Sequence, residues 1–258
     1  MKLIGSVLFV GGLLLLALAF GFIFQVPFVI PIWPWPDGRL SYLFIGSILA
    51  AVSASAIWIG WAREFGALPG ATVNIFVISV ASAIYFLQRF FQGNHPDLFA
   101  YGLLALLAAI VSLLAFFWSR RIPLGISTPT PKLVRISFGI FLAALTLASL
   151  ALLFHLPIFP WALNADSSVI FGCIFLGNAV YFLYGLIYPL WYHAKGQLLS
   201  FLAYDLVLIG PFLALFSTVK PKFELSLVVY IAVLIYSGAI ALYYLFFNSQ
   251  TRMGQRNP

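Results

Sequence analysis

Long apolar runs recur along the chain, separated by short clusters of proline, glycine and charged residues. Within the runs nothing alternates: Gly12-Leu13-Leu14-Leu15-Leu16-Ala17-Leu18-Ala19-Phe20 is typical. Runs of about 20 residues match the length a helix needs to cross about 30 Å of hydrocarbon. A lipid-spanning barrel would instead show short segments of alternating polarity, and only a helix satisfies its backbone within one apolar segment. The pattern predicts an all-α integral membrane protein with about eight transmembrane helices, near residues 3–24, 40–62, 71–91, 98–118, 134–154, 168–191, 198–217 and 225–247.

A second pattern lies over the first. Pro31-Ile32-Trp33-Pro34-Trp35 returns as Pro157-Ile158-Phe159-Pro160-Trp161, displaced by 126 positions. The same offset, without a gap, pairs Ser41 with Ser167, Gly46 with Gly172, Ile48 with Ile174, Gly70 with Gly196 and Phe86-Leu87 with Phe212-Leu213. The expected organisation is two parallel four-helix repeats, residues 1–118 and 134–248. A basic Pro/Ser/Thr linker joins them at 119–133, and a polar tail follows at 249–258. Lys2, the apolar run and Ala17-Leu18-Ala19 would also fit a cleavable signal. The repeat argues for a span instead, with Leu16-Ala17 falling on Leu142-Ala143. Pro27, Pro31, Pro34 and Pro36 disfavour helix after the first span. Trp33, Trp35 and Trp161 are expected there as interfacial anchors, since indoles favour the headgroup layer.

Composition sharpens this picture. The chain is 64% hydrophobic and 7% charged, against roughly 25% charged in soluble domains, too little charge to coat a water-facing surface. Nine of the thirteen Lys and Arg fall on one side of the predicted spans, with both termini. That places the termini in the cytoplasm, in a membrane of the bacterial cytoplasmic type. The net charge of +7 then points to anionic headgroups at the cytoplasmic face, with membrane-protein partners open and nucleic acid excluded. The single cysteine, Cys173, falls within a span and reads as a small core residue.

Chemistry has few places to reside. Asp205 is the one ionisable residue well inside a predicted span, and such a residue is expected to face protein or a water cavity and to have a partner. On helix 6, Tyr181, Tyr184 and Tyr188 share a face that Asn178 continues outward; helix 8 offers Tyr236 and Ser237. Asp205, Tyr181, Tyr184, Asn178 and Tyr188 therefore form the candidate ligand or proton site, with a buried interhelical hydrogen bond as the plainer alternative. The first repeat has Ser79 at the matching position, near Ser53, Ser55 and Ser82, so any site is asymmetric. His95, His155 and His193 lie at predicted helix ends or in loops, not inside facing spans where a haem would need them. An outer metal site from His95, His155 and Asp166 is the weakest candidate, and no metal is expected. Catalytic motifs are missing, no cofactor is specified, and the 27 Phe and 12 Tyr suit either packing or the wall of a cavity for a lipid, quinone or pigment. Three readings follow: non-catalytic transport or binding of a small or apolar ligand near Asp205, an accessory or scaffold subunit of a membrane complex, and, last, a membrane enzyme acting on lipid.

Overall fold

The computed structural model describes residues 1–93, 95–122 and 128–253. Asn94 of the predicted turn, residues 123–127 of the predicted linker and 254–258 of the predicted tail lie outside the described residues. Eight helices are long and apolar enough to cross a membrane: α1 (Lys2–Ile23), α2 (Arg39–Ala62), α3 (Leu68–Phe91), α4 (Leu98–Ser119), α5 (Lys132–Leu153), α6 (Ala165–Ile187), α7 (Trp191–Leu215) and α8 (Pro221–Leu242). The chain is a multi-pass helical membrane protein.

Local chemistry sets the helix ends. Pro69 sits in the first turn of α3 and Pro221 in that of α8, where a missing N–H removes nothing. Asn164 caps α6, its side chain accepting from the Asp166 N–H at 2.9 Å. After α1 and α5 the chain turns through Gln25 and His155, both in the left-handed region (φ 52° and 58°).

Two predicted boundaries move together at the α6–α7 connection. Helix 6 ends at Ile187 and not at Trp191, and helix 7 begins at Trp191 and not at Leu198. Pro189 disfavours helix before it, and the connection pairs with the chain entering α5. There the Thr130 N–H donates to the Pro189 carbonyl at 2.8 Å and the Trp191 N–H to the Thr128 carbonyl at 2.9 Å. The tail folds back beyond a π-helical turn at Tyr243–Phe247, and the Trp191 indole donates to the Thr251 carbonyl at 3.1 Å.

The offset of 126 relates the starts of α2 and α6, but α1 and α5 are displaced by 130. The connection after α1 is longer than that after α5 by four residues. Each helix packs on its hairpin neighbour: α1 on α2, α3 on α4, α5 on α6, α7 on α8. The remaining major contacts cross between the halves, α2 on α7 and α3 on α6. The halves thus interlock.

Glycines permit the closest crossings. A Cβ on Gly60 would lie 2.6 Å from the Gly5 carbonyl and from the Phe9 nitrogen, both backbone atoms of α1. At the end of the bundle away from the start of α1 the proline-tryptophan segments tie the halves together. The Trp33 indole donates to Ser167 Oγ at 3.1 Å, and the Trp161 indole to Ser41 Oγ at 2.9 Å. Trp35 and Trp161 are buried, stacking on Phe86 and edge-on to Phe212 respectively. These indoles, expected at the headgroup layer, are packed inside the bundle.

Candidate functional site

Crossing contacts leave α5 and α8 on the same flank without packing along one another. They meet near the start of α5 and the end of α8, where Ser137 Oγ and the Tyr236 hydroxyl are 2.9 Å apart and the rings of Phe141 and Tyr236 lie 5.9 Å apart. Beyond that point they diverge around a cavity of about 930 Å³, bordered by Pro157 and Ile158 of the second proline-tryptophan segment. Its mouth is apolar and faces lipid: Leu147 on α5 is 67% exposed and Val229 on α8 is 55% exposed. A volume of this size lies in the upper part of the range for small-molecule sites.

Asp205 lies in the wall of this cavity, 5% exposed. Because α7 starts seven residues earlier than expected, Asp205 sits deeper than the sequence suggested, about 20 Å along the helix at 1.5 Å per residue. That is near mid-span, not toward the inner face. Ser237 Oγ lies 3.0 Å from each carboxylate oxygen and 2.7 Å from the Val233 carbonyl of its own helix. The next residue, Gly238, makes room: a Cβ there would be 3.3 Å from Asp205 Oδ2. The neighbouring phenols are engaged elsewhere. Tyr204 pairs with Tyr230, and Tyr236 with Ser137.

A second polar group faces the same space. Asn74 Nδ2 on α3 donates to Asn178 Oδ1 on α6 at 3.0 Å. Asn74 Oδ1, Gln197 Oε1 and the Tyr181 hydroxyl are buried without a protein hydrogen-bond partner, and all three side chains line the cavity. Tyr181 is seated by two glycines 126 positions apart: a Cβ on Gly70 would be 2.5 Å from its ring, and one on Gly196 3.3 Å from its hydroxyl. Gln197 is on the inner part of α7, where Ser200 donates to the Ala51 carbonyl at 2.9 Å and Ser55 to the Gly196 carbonyl at 2.8 Å.

Of the predicted site residues, Asp205, Asn178 and Tyr181 share the cavity wall. The hydrogen-bond partner of Asp205 is Ser237, and that of Asn178 is Asn74. Tyr184 and Tyr188 lie away from the cavity. Their rings are tilted against each other with centroids 4.8 Å apart, Tyr184 stands edge-on to His193 at 5.0 Å, and Arg120 Nη2 reaches the Tyr188 hydroxyl at 3.5 Å. The periodicity did place the three tyrosines on adjoining turns, but α6 presents them to different neighbours. Asn74, Gln197, Tyr204 and Tyr230 were missed. The signal for Asn74 was available, since an amide inside an apolar span marks an interhelical contact.

Outside the cavity, Asp166 is held by Arg89 Nε at 2.9 Å and by the Tyr85 hydroxyl at 2.7 Å, while His95 lies 3.8 Å from Asp97. The outer trio considered as metal ligands is therefore not assembled. Among the described residues no three His, Cys, Asp or Glu converge.

Comparison with protein families, with curated proteins and with solved structures finds no match for this chain. Its chemistry is read from its own residues: a multi-pass helical protein with an aromatic cavity open sideways to lipid and a polar wall at mid-depth.

Proposed function

We propose that the protein binds an amphipathic small molecule drawn from the bilayer, and carries or holds it rather than converting it. One observation supports this above the others. A cavity of about 930 Å³ connects an apolar, lipid-facing mouth between α5 and α8 with buried polar side chains around Asp205. Polar groups at this depth are expensive in a span and concentrate on ligand and ion paths. In this reading both termini face the cytoplasm, on the side carrying nine of thirteen Lys and Arg, against anionic headgroups.

Native mass spectrometry of mildly solubilised protein tests the reading. The wild type should retain a bound apolar molecule. Ala144→Trp, placed on the exposed, cavity-lining face of α5, should lose it while keeping the thermal stability of the wild type. An empty wild-type protein whose melting responds to a panel of apolar ligands no differently from Ala144→Trp would refute the reading.

A further inference from the structure

The chemistry of the polar wall is one-sided. Asp205 contributes two carboxylate oxygens, and Gln197 Oε1 and Asn74 Oδ1 are acceptors with no protein donor. Against these, Ser237 has one proton to share between Asp205 and the Val233 carbonyl, which is the nearer at 2.7 Å. No Lys, Arg or His among the described residues pairs with Asp205. The nearest candidate on its own helix, Lys195, is held by both oxygens of Glu64 at 2.9 and 3.0 Å. A buried carboxylate without a cation, on a wall where two amide oxygens lack donors and the Tyr181 hydroxyl is the unpartnered donor, is matched by a ligand bringing both positive charge and N–H groups.

The rest of the wall suits the same partner. Tyr204, Tyr230 and Tyr236 line the same cavity as the acid, with Phe141 and Phe201, and aromatic faces attract ammonium groups most strongly where water is excluded. A ligand carboxylate would meet Asp205 as a like charge. An alcohol would bring one donor to several acceptors.

We infer that the ligand's polar end is an amine bound as its ammonium ion at Asp205, among the aromatic rings that line the same cavity, with its apolar body lying toward the mouth between α5 and α8. The inference rests on the proposed function and names the ligand class.

The test uses the full chain in nanodiscs of zwitterionic lipid and three probes of equal chain length: octan-1-amine, octan-1-ol and octanoate. Binding is measured by calorimetry and by the shift in melting temperature. The amine should bind at least tenfold more tightly than the alcohol, with octanoate weakest. Asp205→Asn should abolish the preference, with amine and alcohol binding that variant equally. Ser237→Ala, which keeps the carboxylate, should retain the preference, and the ranking of the probes on wild-type protein decides the matter whether or not Asp205→Asn folds. Equal affinity for amine and alcohol, or preference for octanoate, overturns the ammonium assignment. So does failure of the wild type to bind the amine. Retention of a nitrogen-free molecule in native mass spectrometry would separate that outcome from failure of the cavity reading itself.

Discussion

Replacing Asp205 by asparagine should stabilise the empty protein. The side chain is 5% exposed, and its hydrogen-bond donor among the described residues is the Ser237 hydroxyl, shared with the Val233 carbonyl. A hydrogen bond to a charged group contributes about 1.5–3 kcal/mol, and a shared one less. Taking a carboxylate out of water costs several kcal/mol even after relaxation, and here no cation offsets it. The balance is unfavourable by on the order of 1–3 kcal/mol. Asparagine has the same shape and fits beside Gly238, whose missing Cβ leaves the space. Its amide can donate to Ser237 Oγ, freeing the serine proton for Val233. At about 2–4 °C per kcal/mol for a chain near this size, Asp205→Asn should raise the melting temperature by about 2–12 °C. Unfolding is followed by circular dichroism in the same nanodiscs without added ligand. If Asp205→Asn and Asp205→Leu both lower the melting temperature, the acid is an interhelical tie and the balance above is wrong.

Other substitutions probe the frame that holds the site. Gly177→Ala would place a Cβ 2.8 Å from the Asn74 carbonyl and 2.5 Å from Asn74 Oδ1, forcing α3 and α6 apart; a loss of about 1–3 kcal/mol is expected in chemical unfolding. Gly139→Ala meets open space and should be neutral or stabilising by up to about 1 kcal/mol, from helix propensity alone. Trp161→Phe removes the indole donor to Ser41 and should lower stability by about 1 kcal/mol, with most of that loss absent in a Ser41→Ala background. Lys195→Met leaves Glu64 unpaired in a partly buried site and should be more destabilising than Lys195→Met with Glu64→Gln, measured as a double-mutant cycle.

The break between α6 and α7 shows where sequence reading stops. Leu190 and Trp191 are apolar and seemed to extend helix 6. His193-Ala194-Lys195-Gly196-Gln197 is polar and seemed to be a loop. In the fold that polar stretch forms the first turns of α7, because its groups find partners far away in sequence: Lys195 on Glu64 of the α2–α3 connection, and Trp191 on the tail. That shift carried Asp205 to mid-span and brought Gln197 into the cavity. The candidate site was legible as far as Asp205, Asn178 and Tyr181, whose polarity stands out against apolar spans. The partners were not, because Ser237 and Asn74 reach them only through the packing of α8 on α7 and of α3 on α6.

By itself the sequence determined that this is a helical membrane protein with eight spans. Hydrocarbon admits no unsatisfied backbone, so composition and run length leave one solution. It also determined that one acid would be buried, because Asp205 stands inside an apolar span. Tertiary structure decided that the halves interlock, that the proline-tryptophan segments tie them crosswise, and that α5 and α8 part to open a cavity beside Asp205. In lipid every apolar face is already solvated, so hydropathy does not say which helix packs on which. That choice rests on shape and on a few polar contacts between distant residues.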